Sequence, residues 1–385
     1  MLMRPNGFKL VISLISLLLI TGCVDPHQLE RLGLITALGF DLEKENEIKG
    51  TLVVSKFDPL EQVLTRKISA EANTIQTLRA ELNLESDQHL VLGQLRCVIY
   101  SNELAKKGIV QLVDALNRDP TVGNMVYLTI AEEDATSILS VDESKVKINI
   151  GTYLYNLIRQ NVENEQLMSP TLHEFNHSFA DFGQDPVLPI IKTDKENVSI
   201  TGVALFNDDR MVARINNDKL FYLKILADKY RSGSKELAFN RQDFEKVIET
   251  RNGRAYRNVY NKLFITIDNI QSDTKVTLID KDNLRFKVEV YLKSRLLEAT
   301  ERLDLGVPEN VKFIEEKMSK EIEKQLKDML VFFQDKKVDP VGFGNEYMAK
   351  VRGEALENKN WKEIYKNAKF DVQVKNIISK TGALE

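Results

Sequence analysis

The sequence predicts an α+β fold of two or three consecutive mixed α/β domains. Three observations carry that expectation. The first half alternates β runs with helical runs, the signature of mixed layers. The last third instead opens on successive β runs joined by polar turns, then carries one long amphipathic helix and a closing strand. And 363 residues remain after the leader at residues 1–22, more than a single core usually organises. With 43% hydrophobic and 29% charged residues and no long Gly/Ser linker, the chain reads as globular domains that abut closely.

The elements follow in order. Leu34–Phe40 is apolar, Asp41–Glu47 a polar turn and Ile48–Phe57 a second β run. Ile68–Leu84 reads as a helix with Ile75, Leu78 and Leu82 on one face. Leu95–Tyr100 is a compact strand holding Cys97, a small core residue. Asn102–Arg118 is helical, stopped at Asp119-Pro120, and Met125–Ala131 is a strand. A helix runs through Tyr153, Leu154, Leu157 and Ile158, and Ser169-Pro170 opens a short one ending near Phe182. Val198–Phe206 and Met211–Ile215 form a hairpin, followed by a helix over Asp218–Tyr230. Asn261–Ile270, Lys275–Asp280 and Leu284–Glu298 are strands. After Pro308, Val311, Ile314, Met318, Ile322, Leu326, Leu330 and Phe333 recur every three or four residues and mark a helix of about 25 residues. Asp339-Pro340-Val341-Gly342-Phe343-Gly344 turns the chain back, with Phe343 and Trp361 as core anchors, and Lys369–Ile378 is the final strand. These elements place an N-terminal α+β domain at 23–195, a middle one at 196–257 and a C-terminal one at 258–385.

The front end is an export signal. Arg4 and Lys9 precede an apolar run over Leu10–Ile20, and Ile20-Thr21-Gly22-Cys23 follows. The run is shorter than the ~20 apolar residues that span a bilayer. Its ending resembles a bacterial lipobox, in which cleavage before Cys23 accompanies transfer of diacylglycerol to its sulfur. Everything after Cys23 is then expected outside the cytoplasm, held by lipid. The chain carries 53 basic and 57 acidic residues; without Arg4 and Lys9 the mature portion has 51 and 57, a net charge of −6. That balance disfavours nucleic acid as a partner. Lipid on Cys23 leaves Cys97 alone, so no internal disulfide is expected.

Several segments in this order resemble the C subunits of spore germinant receptors, the Ger(x)C lipoproteins. They are Leu32-Gly33-Leu34-Ile35-Thr36-Ala37-Leu38-Gly39-Phe40-Asp41; His89–Gln94 through Ala105–Ile109 to Arg118-Asp119-Pro120; Leu188-Pro189-Ile190-Ile191 with Gly202–Phe206; and Gln334, Asp339–Gly344, Trp361 and Ile378–Gly382. The resemblance spans essentially the whole mature chain, although Val24 stands where the family usually has an aromatic residue after the lipidated Cys. It implies three consecutive mixed α/β domains, a spore-forming Gram-positive source and the outer face of the spore inner membrane. It implies an A subunit and a membrane-embedded B subunit as partners in a nutrient germinant receptor. No enzymatic activity is expected, and no cofactor beyond the covalent diacylglycerol on Cys23.

One local motif points elsewhere. His173-Glu174-Phe175-Asn176-His177 matches H-E-x-x-H, a spacing that sets two imidazoles on one helical face with a Glu as general base. Catalytic zinc needs a third protein ligand. Ala180 stands where the metzincin extension requires Gly, and Gly183 where its third His belongs. The residues are therefore read as exposed polar groups on a short helix. A zinc peptidase using His173, Glu174 and His177, and an adaptor or ligand-binding lipoprotein outside germination, are the rival readings.

Overall fold

The computed structural model describes residues 32–44, 47–55, 65–194, 197–251, 254–255, 261–351 and 358–381. The lipobox and Cys23 lie outside the described residues. The chain is a mixed α+β protein built around two main sheets.

The large sheet is centred on β1 (Leu32–Leu42), whose near-continuous apolar run is buried along most of its length, as a strand covered on both faces requires. On one side lie the antiparallel β2 (Ile48–Ser55) and β3 (Thr65–Ala72). On the other, β4 (His89–Val91) and β5 (Cys97–Tyr100) run parallel to β1. Then come β6 (Tyr127–Ala131) and β7 (Val187–Thr193), also parallel, and the antiparallel pair β8 (Val198–Asn207) and β9 (Arg210–Asn216). Helices α1 (Ile75–Leu84), α2 (Asn102–Lys107) and α3 (Val110–Arg118) bury Leu78, Leu82, Leu104, Leu112 and Leu116 on one face. On the opposite face, α4 (Ala135–Leu139), α5 (Glu143–Val146) and α6 (Ile150–Glu163) bring Ile138, Leu139, Ile150, Leu154 and Ile158. Helix α7 (Leu172–Ala180) returns to the first face through Leu172 and Phe175.

The smaller sheet has the order β10 (Ser234–Asn240), β13 (Lys262–Asp280), β14 (Arg285–Ala299), β15 (Lys369–Thr381), with β11 (Thr250–Arg251) and β12 (Arg254–Ala255) as a separate small pair. Helix α8 (Leu220–Ala227) packs between the sheets. Helix α9 (Pro308–Lys336) starts on proline at its first turn and buries Ile314, Met318, Ile322, Leu326, Leu330 and Phe333, the row its periodicity picks out. Two short helices, α10 (Phe343–Lys350) and α11 (Asn358–Tyr365), precede β15.

Four expectations are corrected. Residues 68–72 belong to strand β3, where Ile68 is buried opposite Leu52; helix α1 begins only after Thr74, whose side chain accepts from Thr77 N–H. The helix over Asn102–Arg118 is broken at Gly108, which takes φ +128°, and an added Cβ there would meet Asp209 at 2.5 Å. The strands at 261–270 and 275–280 are one, because the intervening polar residues find partners: Ser272 Oγ accepts from Tyr230 N–H, and Thr274 lies inside the ladder with β14. Finally, the sheet crosses the 195/196 boundary. The 198–216 hairpin extends the large sheet, while β10 joins the small one, so residues 196–257 are shared between two sheets. The hairpin's alternating pattern marks its strands but not the sheet that receives them.

Candidate functional site

A buried cluster of charged and polar groups lies where the two sheets meet. It joins the loop after α7 and the β8–β9 turn to the Asp339–Gly344 turn and α11. Asp185, Asp339 and Lys362 are all buried. Lys362 Nζ pairs with Asp185 at 3.0 Å and Asp208 at 2.9 Å, and donates to Asn207 Oδ1. Asp339 and Asp185 clasp each other through the backbone: Asp339 N–H donates to Asp185 Oδ2 at 2.7 Å, and Asp185 N–H to Asp339 O at 2.9 Å.

The Asp339 side chain organises its own turn. It accepts from Gly342 N–H and Gly344 N–H, each at 2.9 Å, and from Trp361 Nε1–H at 3.1 Å. Two glycines let the halves touch. A Cβ on Gly344 would sit 2.5 Å from Gly183 Cα, and one on Gly183 would sit 2.4 Å from Asn345 N. Asn345 donates to Asp181, and Gln184 to Pro340 O. Beside these polar groups Phe286, Phe343, Trp361, Tyr365 and Phe370 pack edge-on, tilted and, for Phe286 with Phe370, stacked, with centroids 4.8–6.4 Å apart. The turn-shaping role expected for Asp339–Gly344 is what the geometry shows, and Phe343 and Trp361 are core anchors. Asp185 and Lys362 were missed: 177 positions separate them, and no local periodicity relates them.

The H-E-x-x-H segment falls on α7, where His173, Glu174 and His177 are exposed and the imidazole centroids are 6.5 Å apart. Among the described residues no group of three His, Cys, Asp or Glu side chains is placed to hold a metal ion. Phe175 takes the buried position and stacks on Phe179. Cys97 is fully buried, its thiol pushed up to about 12 by burial, which suits a packing residue rather than a nucleophile.

Two family profiles match this chain: the spore germination protein N-terminal domain over residues 25–193, and the spore germination B3/GerAC-like C-terminal domain over residues 201–382. This chain belongs to the GerAC family of spore germination proteins. Spore germination protein GerQC of Bacillus cereus is 28% identical over 376 residues, covering 97% of this chain and 99% of that one. Spore germination protein KC of Bacillus subtilis is 22% identical over 417 residues, covering 97% and 95%. The crystal structure of the GerBC protein gives a TM-score of 0.49 at 15% identity, covering 89% of this chain and 96% of that one. The two GerAC-family profiles part between residues 193 and 201, a stretch the large sheet crosses.

In this GerAC-family chain the buried junction carries a pH signature. Burial lifts the Asp339 carboxyl from its ordinary 3.8 to about 7, against the N–H groups of Gly344, Phe343 and Gly342. Asp185 is also raised by burial, with Lys362 opposing. A folded value above the unfolded one means the folded chain binds the extra proton between those two values. Asp339's contribution is therefore greatest below its ordinary range and falls away as pH rises through about 7. Exposed Glu363 works the other way: hydrogen bonds from Lys337 and Lys366 lower it to about 2, so its contribution is present at neutral pH and lost only in strong acid. Asp339→Asn is expected to remove the first slope. In equilibrium unfolding, the stability advantage of the native chain over this variant shrinks between about pH 4 and pH 7; a constant difference contradicts the assignment.

Proposed function

We propose that this chain is the lipid-anchored C subunit of a nutrient germinant receptor, a non-enzymatic component held by diacylglycerol on Cys23 at the outer face of the spore inner membrane. Its partners in this reading are an A subunit and a membrane-embedded B subunit. The observation that carries the proposal is the pair of spore germination profiles, which together run from residue 25 to 382. Three features support it. The Ile20-Thr21-Gly22-Cys23 ending supplies an anchor. No helix among the described residues is long and apolar enough to cross a membrane. And a buried polar cluster around Asp185, Asp339 and Lys362 joins its two sheets.

Mechanistically, a lipid tether converts docking on membrane partners into an effectively intramolecular event and raises the local concentration of the domains. The junction of Asp185, Asp339 and Lys362 lets those domains be presented as a connected body. Cys23→Ala is expected to move the chain from the membrane to the soluble fraction and to impair nutrient-triggered germination. Sedimentation of spore lysates with immunoblotting reads the first, and loss of optical density after nutrient addition reads the second. Full membrane retention with unchanged germination would sink the tether.

A further inference from the structure

We propose that the end of the large sheet at which β1 begins is a bilayer-docking surface, with Leu84, Met125 and Phe182 as its apolar contacts. This rests on the reading of Cys23 as the lipid anchor. Strand β1 starts at Leu32, nine residues beyond Cys23. Nine extended residues reach at most about 30 Å, so the lipid on Cys23 keeps the start of β1 within that distance of the bilayer.

Strands β4, β5, β6 and β7 run parallel to β1, so the segments leading into them emerge at the same end. Leu84 closes α1 shortly before β4, Met125 lies just ahead of β6, and Phe182 lies between α7 and β7. Leu84 and Met125 are the most exposed large apolar side chains among the described residues, at 80% and 69%, and Phe182 is 54% exposed. A single exposed apolar residue is ordinary. Here three of them lie on three separate lead-in segments at the tethered end, Phe182 in the loop whose neighbours Asp181 and Gly183 meet Asn345 and Gly344.

Local charge is compatible with that approach. Arg66 is bound to Asp87 at 2.6 Å and to Glu85 O, and Arg79 pairs with Asp119 at 3.0 Å. These cations can near the headgroups without leaving a bare partner in a poorly hydrated layer. The contact is peripheral: side chains enter the interfacial region while the fold stays outside, reinforcing the covalent anchor as a second membrane signal.

The test uses the full-length lipidated chain on vesicles of phosphatidylcholine and phosphatidylglycerol with brominated acyl chains. Leu84→Cys, Met125→Cys, Phe182→Cys and, as control, Leu297→Cys each receive an environment-sensitive thiol fluorophore. Cys23 is blocked by lipid and Cys97 is fully buried, so the new thiol takes the label. Leu297 is exposed near the end of β14 opposite the Phe286–Phe343 cluster. The expected result is flotation of all four chains, with emission shifted to the blue and quenched by bromine at 84, 125 and 182 but not at 297. Flotation with four equal, unquenched labels overturns the docking surface and leaves the tether standing. Failure of the chain with intact Cys23 to float overturns the tether, and this surface with it. Protection of the three labels in spore membranes but not on pure vesicles makes the occupant a protein and overturns the bilayer assignment.

Discussion

Trp361→Ala is expected to destabilise the folded chain by about 3–5 kcal/mol, the usual range for deleting a large buried aromatic side chain. Trp361 is 2% exposed and contacts Tyr347, Tyr365 and Phe286 at centroid distances of 5.5, 5.5 and 6.4 Å. Truncation leaves a cavity that these rings fill only partly. It also removes the indole N–H from Asp339, a carboxyl with no water-exposed route to a replacement donor. Against a typical domain stability of roughly 5–15 kcal/mol, that loss is a large fraction of the whole. Urea unfolding followed by far-ultraviolet circular dichroism measures it, since the variant loses the chain's only tryptophan. A midpoint within error of the native chain contradicts the anchoring role. Trp361→Phe restores ring packing without the donor and is expected to recover part of the loss.

Lys362→Met is the second large effect. The methionine retains much of the apolar stem but removes the ammonium that pairs with Asp185 and Asp208. Asp208 is half-exposed and can turn to water, whereas Asp185 is buried and cannot. Removing one partner of a buried pair leaves an uncompensated charge and costs about 3–5 kcal/mol. The double variant Lys362→Met with Asp185→Asn removes both charges and is expected to be more stable than Lys362→Met alone. Additive losses in that double-mutant cycle contradict direct coupling between the two side chains. The comparison also separates charge compensation from simple packing, because Met keeps most of the volume in both backgrounds.

What the sequence makes legible follows from how local each signal is. Helix α9 is legible because Ile314, Met318, Ile322 and Leu326 repeat at the helical period, and Pro308 marks its start. Strand β1 is legible because a run buried on both faces needs apolar residues throughout. The Asp339–Gly344 turn and the anchors Phe343 and Trp361 are likewise written in adjacent residues. Sheet membership is not: the hairpin at 198–216 looks the same whether it opens a new unit or extends an old sheet. The long strand β13 reads as two because Gln271, Ser272, Asp273 and Thr274 look like a turn. Their satisfaction depends on Tyr230 and on a cross-strand ladder with residues 290–293. The H-E-x-x-H match shows the opposite hazard, since spacing alone brings two imidazoles near each other but cannot supply a third ligand. The Asp185–Lys362 pair is invisible for a similar reason: its partners meet only once two sheets have packed.

The most direct measurement is a pull-down from detergent-solubilised spore inner membranes with a tag beyond Glu385. Co-recovery of the A and B receptor subunits, in near-constant ratio to this chain, is the predicted result. Clean recovery of the chain without them, from spores that contain all three, contradicts its place as a receptor subunit.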